Sequence, residues 1–294
     1  MTTSLQTDAP AATLRAAAWM VGAIASFTTM AVGGRGAATV HDTFEIMLYR
    51  SCVGVVLVLA AIALTRAWHE VSLRNWRAQV VRNVAHFTGQ NLWFLAITLA
   101  PLAQVIALEF TSPLWVLLLA PLLAGERVRK LQYAVALGGF AGVLLIVRPT
   151  AGLPEPGLAF AALAAIAFAI TNLLTRRLTR TETVLGILIW LTGTQLLFGL
   201  ATAGIDGQIA PPTAETAPWL VLVGLAGLGA HFCLTKALTL APASAVIPID
   251  FLRLPLIATI GALFYAEPLN PLVLLGGAIV LGAAWANLRL APRP

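Results

Sequence analysis

Charge is what this 294-residue sequence most conspicuously lacks. Asp, Glu, Lys and Arg make up 10% of it, against about 25% in soluble domains. So few charges cannot cover a water-facing shell. With 59% hydrophobic residues and a mean hydropathy of +0.89, the chain is expected to lie almost wholly in lipid. Cysteine is scarce too: Cys52 and Cys233 both sit in apolar runs, which leaves no material for a disulfide framework or a zinc cluster. Long polar connectors are missing, so no soluble domain is expected at either end. No Gly-x-Ser-x-Gly elbow and no phosphate-binding loop is found. His69-Glu70-Val71-Ser72-Leu73 opens like a zinc-protease motif but has leucine where the second histidine is required. These absences speak against an enzyme, a metal site or a cofactor. The net charge of +6 does not mark a nucleic-acid binder, because the basic residues flank apolar runs and read as topology signals.

What is present is a series of apolar runs. A spanning helix needs about 20 mostly apolar residues. Ten such runs occur, at 14–32, 44–64, 77–99, 102–124, 131–147, 157–175, 184–204, 218–240, 243–265 and 271–290. The short alternating segments of an outer-membrane barrel are absent. The polar tail 1–13 lacks the positive start of a signal peptide, so the first span is expected to be retained. Twelve basic residues (Arg15, Arg66, Arg74, Arg77, Arg127, Arg129, Lys130, Arg176, Arg177, Arg180, Arg289, Arg293) fall on one side, and only Arg35 and Arg148 on the other. That bias puts both termini in the cytoplasm, as an even number of spans requires. A multi-pass protein of the cell inner membrane, with lipid as its surroundings, is the expected setting.

The chain also repeats itself. Ala96-Ile97-Thr98-Leu99-Ala100-Pro101 returns further along as Ala237-Leu238-Thr239-Leu240-Ala241-Pro242. The same displacement, without a gap, pairs Val105-Ile106 with Val246-Ile247, Glu109-Phe110 with Asp250-Phe251, and Glu126 with Glu267. Two halves follow, 14–148 and 157–290, each of five spans. Five is odd, so the second copy enters the membrane from the opposite side. The expected fold is all-α and integral to the membrane, ten transmembrane helices in two inverted five-helix repeats. Secondary transporters are built this way and place their site at the midplane between the repeats.

Ten spans, the five-plus-five duplication, the two Leu-Ala-Pro turns, and a Glu after spans four and nine together resemble the EamA-type members of the drug/metabolite transporter superfamily. The resemblance covers nearly the whole chain. It implies alternating-access transport of a small metabolite, most often an amino acid and frequently outward. Nucleotide-sugar, S-adenosylmethionine and vitamin carriers share the build. Span one lacks a membrane-embedded Glu, so the Glu-centred proton exchange of the smaller four-span branch is not implied.

Polar groups inside apolar runs nominate the site, because an ionisable group in hydrocarbon is costly unless paired or hydrated. Depth along each span, at about 1.5 Å per residue, sets Arg50 of span two level with Glu109 of span four. They can pair with each other or contact substrate. A second cluster comprises His231, Asp250 and Arg253, with His86 at the same level. Gln90, Asn91 and Trp93 of span three and Asn172 of span six complete the candidate substrate-binding set. Asp250 and Arg253, three residues apart, can equally neutralise each other. Arg82 and Lys236 lie near the inner interface and are expected to snorkel. Trp19, Phe87 and Phe110, with Trp93, are the candidate aromatic lining.

A cavity of both charge signs suits a zwitterion. Arg50 or Arg253 would accept a carboxylate and Glu109 or Asp250 an ammonium, so the expected function is amino-acid export. The alternative is uptake of a larger metabolite such as S-adenosylmethionine or a vitamin. His86, His231 and Asp250 leave proton coupling and facilitated exchange both open. Pro113 and Pro255 interrupt spans four and nine and are the expected gating hinges. The glycines of spans five and ten (Gly138, Gly139 and Gly142; Gly276, Gly277 and Gly282) allow close packing and offer a face to a homodimer.

Overall fold

The computed structural model describes residues 8–123, 125, 128–147, 156–205, 207–266 and 271–290. Glu126 and Glu267, with Arg127, Arg148 and Arg293, lie outside the described residues. The described residues contain helices and no strand. The α-helices are α1 (Asp8–Ala37), α2 (Thr43–Thr65), α3 (Trp76–Leu99), α4 (Leu102–Glu109), α5 (Ser112–Leu123) and α6 (Lys130–Val147). They continue with α7 (Pro156–Leu178), α8 (Val184–Thr202), α9 (Ala217–Leu240), α10 (Ala243–Val246), α11 (Arg253–Tyr265) and α12 (Pro271–Leu290). Among the described residues, six segments are long and apolar enough to cross a membrane: Leu14–Ala37, Thr43–Thr65, Leu102–Leu123, Pro156–Leu178, Val184–Thr202 and Ala217–Leu240.

Large apolar side chains face outward, as lipid surroundings allow, while the apolar interior also holds a set of buried polar groups. Leu64, Leu122, Leu263 and Phe264 are at least 75% exposed, while Arg82, His86, Gln90 and Arg253 are 1% exposed.

Local chemistry fixes where the helices start and stop. Asp42 caps α2: its carboxylate accepts from Glu45 N at 2.8 Å, and Glu45 reaches back to Asp42 N at 3.1 Å, a reciprocal box. Thr183 caps α8 by accepting from Gly186 N at 3.0 Å. The ends of α3 and α9 are set by proline. A residue before proline is pushed out of the helical region, and Ala100 (φ −142°, ψ 159°) and Ala241 (φ −147°, ψ 160°) are both extended. Pro101 and Pro242 then cap α4 and α10 with nearly equal backbone angles.

The two halves share one helical pattern. The pairs of first residues Thr43/Val184, Trp76/Ala217, Leu102/Ala243, Ser112/Arg253 and Lys130/Pro271 are all separated by the displacement that carries Ala96 to Ala237. Packing follows the same correspondence. α2 lies against α8 and α6 against α12, each helix on its own counterpart, while α1 packs on α9 and α7 on α3. Even a side-chain cap recurs. Arg35 donates from Nε to Ile97 O at 2.9 Å, and Arg176, at the matching position of the second half, donates to Leu238 O, the counterpart carbonyl. Arg35 also reaches Ala100 O at 3.0 Å. A cation on the last carbonyls of a helix is favourable by charge as well as by hydrogen bonding.

Close approach depends on small residues. A Cβ at Gly36 would lie 2.5 Å from the Trp219 ring, and one at Gly89 would lie 2.9 Å from Ala167 and 3.1 Å from Phe168. Those glycines let α1 meet α9 and α3 meet α7. In α6, Gly139 faces Ala283 of α12, whereas Gly138, Gly277 and Gly282 have nothing within 4 Å of an added Cβ.

Two helices break in the interior. α4 stops at Glu109 and α5 starts at Ser112; α10 stops at Val246 and a 3-10 segment, Ile247–Leu252, leads into α11. The breaks precede the prolines. Pro113 is the second residue of α5 and Pro255 the third of α11, in the first turn, where the missing N–H costs little.

Candidate functional site

The breaks bring two carboxylates to one guanidinium. Glu109 is the last residue of α4 and Asp250 lies in the 3-10 segment, at corresponding positions of the two halves. Arg253, the first residue of α11, is 1% exposed. Its Nη2 donates to Asp250 Oδ2 at 2.7 Å and to Glu109 Oε1. Trp93 Nε1 donates to the other Glu109 oxygen at 2.7 Å. Arg253 also lies over the rings of Phe27 and Phe110, at 5.1 and 5.4 Å from their centroids. The charge is thus shared inside the protein, and the triad carries one more carboxylate than cation.

Beside this triad is a cavity enclosing about 650 Å³ of empty space, open solvent at its mouth included. Of the residues expected from the sequence, His86, Gln90, Trp93, Glu109, Asn172, His231, Asp250 and Arg253 line it, and so does Pro113. The His86 and His231 rings meet edge to face at 4.6 Å. Several lining groups have no hydrogen-bond partner in the protein: both His86 ring nitrogens, His231 Nε2, Gln90 Nε2, Ser112 Oγ, Asp250 Oδ1 and Arg253 Nε. Buried polar groups are seldom left so. They are available to hydrogen-bond with whatever enters the cavity. The rest of the wall is mostly apolar and includes Phe27, Phe110 and Phe168, with Met20 and Met30.

Several expectations need correction. Arg50 does not pair with Glu109. Equal depth fixes a height and says nothing of the direction a helix faces, and α2 packs on α8 and α9 whereas α4 packs on α7 and α11. Arg50 opens instead on a separate chamber. Arg82 does not snorkel: it is buried, donating to Thr175 Oγ1 at 2.6 Å and to Asn83 Oδ1 at 2.8 Å. Trp19 packs on Phe232 and Phe87 on Phe198, and neither lines the cavity. Asn91 also stays outside it and donates to Phe87 O of its own helix at 2.9 Å.

The cavity wall includes residues the sequence reading passed over: Met20, Phe27, Met30, Phe168, Thr171 and Ser112. One signal was available. Phe27 and Phe168 hold equivalent positions in the two halves, as do Met30 and Thr171, so the repeat predicts that they sit together. Among the described residues, no group of three or more His, Cys, Asp and Glu side chains is placed to hold a metal ion.

The sequence matches the EamA-like transporter family twice, over residues 14–148 and 155–289. The chain belongs to that family. It is therefore a multi-pass membrane protein of transporter descent. A riboflavin transporter of Rhizobium johnstonii is 34% identical over 220 residues, covering 73% of this chain and 70% of that one. An S-adenosylmethionine uptake transporter of Rickettsia prowazekii is 25% identical over 81% of this chain and 80% of that protein. A pseudopaline exporter of Pseudomonas aeruginosa is 25% identical over 92% of this chain and 95% of that protein. A solved crystal structure superposes with a TM-score of 0.75 at 21% identity, covering 96% of this chain and 98% of that one, and so shares the fold.

Proposed function

We propose that this EamA-like protein is an uptake carrier for riboflavin or a similar ring-bearing vitamin, in the cell inner membrane. The observation that carries the proposal is the state of charge in the cavity. Arg253 already has its charge offset by both Glu109 and Asp250, and Arg50 opens elsewhere, so among the described residues the lining offers no uncompensated cation for an α-carboxylate. What the lining offers is aromatic faces and unpartnered hydrogen-bonding atoms. That combination suits a planar, neutral, hydrogen-bonding ring better than a zwitterion. The riboflavin transporter relatives support the same choice.

The transport cycle follows from the repeat. Ten helices in two inverted halves, 14–148 and 157–290, with both termini cytoplasmic, let each half adopt the other's conformation. The recurrence of helix starts at one constant displacement, the packing that respects it and the twelve-to-two basic bias support this arrangement. The helix breaks at Glu109 and Asp250 put the charge triad where the two halves meet.

S-adenosylmethionine is the second reading. The triad's extra carboxylate would favour a cationic solute, and uptake transporters for that metabolite are among the relatives. Exchange in proteoliposomes separates the two. The vesicles are loaded with unlabelled riboflavin, S-adenosylmethionine or an amino-acid mixture, and uptake of the matching labelled solute is followed. Riboflavin should accumulate transiently against its pool. Exchange of S-adenosylmethionine alone would favour the second reading, and exchange of amino acids alone would overturn both.

A further inference from the structure

Arg50 is a buried cation that the carrier cycle above does not use. It is 7% exposed, and its contact within hydrogen-bonding distance is the Met47 sulfur, 3.4 Å from Nη1. Among the described residues no carboxylate lies within ion-pair distance of it. An ionised side chain so deep in an apolar protein normally has an anionic or carbonyl partner. Arg50 faces a small chamber between α2, α8 and α9, with about 270 Å³ of empty space when the open solvent at its mouth is included, lined also by Ser51, Thr192, Gln195, Gly227 and His231.

The chamber is built around this side chain. A methyl group added at Gly227 would collide with Arg50 Nε, so the glycine is what admits the guanidinium. The pair has no counterpart in the other half. The repeat displacement places Leu191 opposite Arg50 and His86 opposite Gly227, so packing the repeat does not demand a cation here. The hydroxyls of Ser51 and Thr192 are turned to helix carbonyls, Met47 O at 2.6 Å and Leu188 O at 3.0 Å. They leave Arg50 as the chamber's strong donor. His231 lines both this chamber and the central cavity and forms the partition between them.

We infer that the Arg50 chamber is an oxyanion subsite, taking a carboxylate or phosphate group on the planar guanidinium fork. The inference goes beyond the riboflavin reading and stands without it. Two sources share the chemistry: a free anion, or an anionic group carried by a solute that extends past His231.

The test is thermal unfolding of the purified protein in detergent, titrated at constant ionic strength with sodium phosphate, sodium formate, riboflavin or riboflavin 5′-phosphate. Wild type is compared with Arg50→Gln and with Gln195→Glu, which sets a carboxylate into the same chamber and keeps the cation. A saturable rise in midpoint with phosphate or formate, lost in both variants, supports the subsite with a free anion as occupant. A wild-type preference for riboflavin 5′-phosphate over riboflavin, lost in both variants and without response to free anions, supports it with a solute-borne group. The same responses in wild type and Gln195→Glu overturn it, and this arm holds even if Arg50→Gln does not fold.

Discussion

Arg253 of the second half reaches Glu109 of the first, and this ion pair crosses between the halves at the point where both bear a broken helix. Asp250 holds the same guanidinium from one turn away. Removing Arg253 would leave two carboxylates facing each other in a largely buried site. Breaking a buried ion pair from one side costs about 3–5 kcal/mol. Arg253→Leu is therefore expected to lower the unfolding midpoint in detergent sharply, and Glu109→Gln to lower it less, because Asp250 still neutralises Arg253. Equal melting of the two variants would show that the triad is not organised around Arg253.

Trp93 bonds to Glu109 through Nε1 while its ring lines the cavity. Trp93→Phe keeps most of the ring and deletes that bond, which, being made to a charged group, is worth about 1.5–3 kcal/mol. The expected result is weaker apparent affinity in riboflavin exchange together with a loss of stability of that order. Trp93→Leu, which also removes the aromatic face, should be worse in transport than Trp93→Phe. Equal kinetics for the two would remove the stacking role.

The Arg35 and Arg176 caps occupy corresponding places in the two halves. If the halves exchange conformations, loosening one cap should favour the state opposite to that favoured by loosening the other. Arg35→Gln and Arg176→Gln are expected to shift the accessibility of a cysteine introduced at Asn172 in opposite senses, read with an impermeant thiol reagent in sealed vesicles. The background would be Cys52→Ser with Cys233→Ser. Shifts in the same sense would contradict the inverted arrangement.

Pro113 enters α5 just after the Phe110–Thr111 break. An alanine there restores an N–H that can bond to the Glu109 carbonyl and join α4 to α5. Pro113→Ala is expected to slow exchange while leaving apparent affinity near wild type. Pro255→Ala should do less, since the second half already breaks upstream of it at Ile247–Leu252. Wild-type turnover in Pro113→Ala would remove the hinge.

The all-helical, membrane-spanning character and the ends of α3 and α9 were legible because hydrophobic runs and pre-proline alanines are signals carried by the sequence itself. Ala100 and Ala241 show it at the level of backbone angles. Much of the cavity lining was legible for a related reason: a polar side chain in an apolar run must face inward, as His86, Gln90 and His231 do. The pairing was not. Arg50 and Glu109 lie at similar distances from the starts of their apolar runs, but partners depend on which way each helix faces, and neighbouring helices decide that. The apolar wall was less legible, because Phe27, Met30 and Phe168 look in sequence like other residues of a lipid-facing helix and only their equivalent places in the two halves hint that they meet.

The most direct test of the account is exchange of labelled riboflavin in proteoliposomes, with His86→Ala beside wild type. His86 lines the cavity with both ring nitrogens unpartnered and takes no part in the Arg253 triad. The account predicts saturable accumulation of riboflavin against a preloaded pool, strongly weakened in a folded His86→Ala protein. Amino-acid exchange without flavin exchange, or flavin exchange indifferent to His86→Ala, would contradict it.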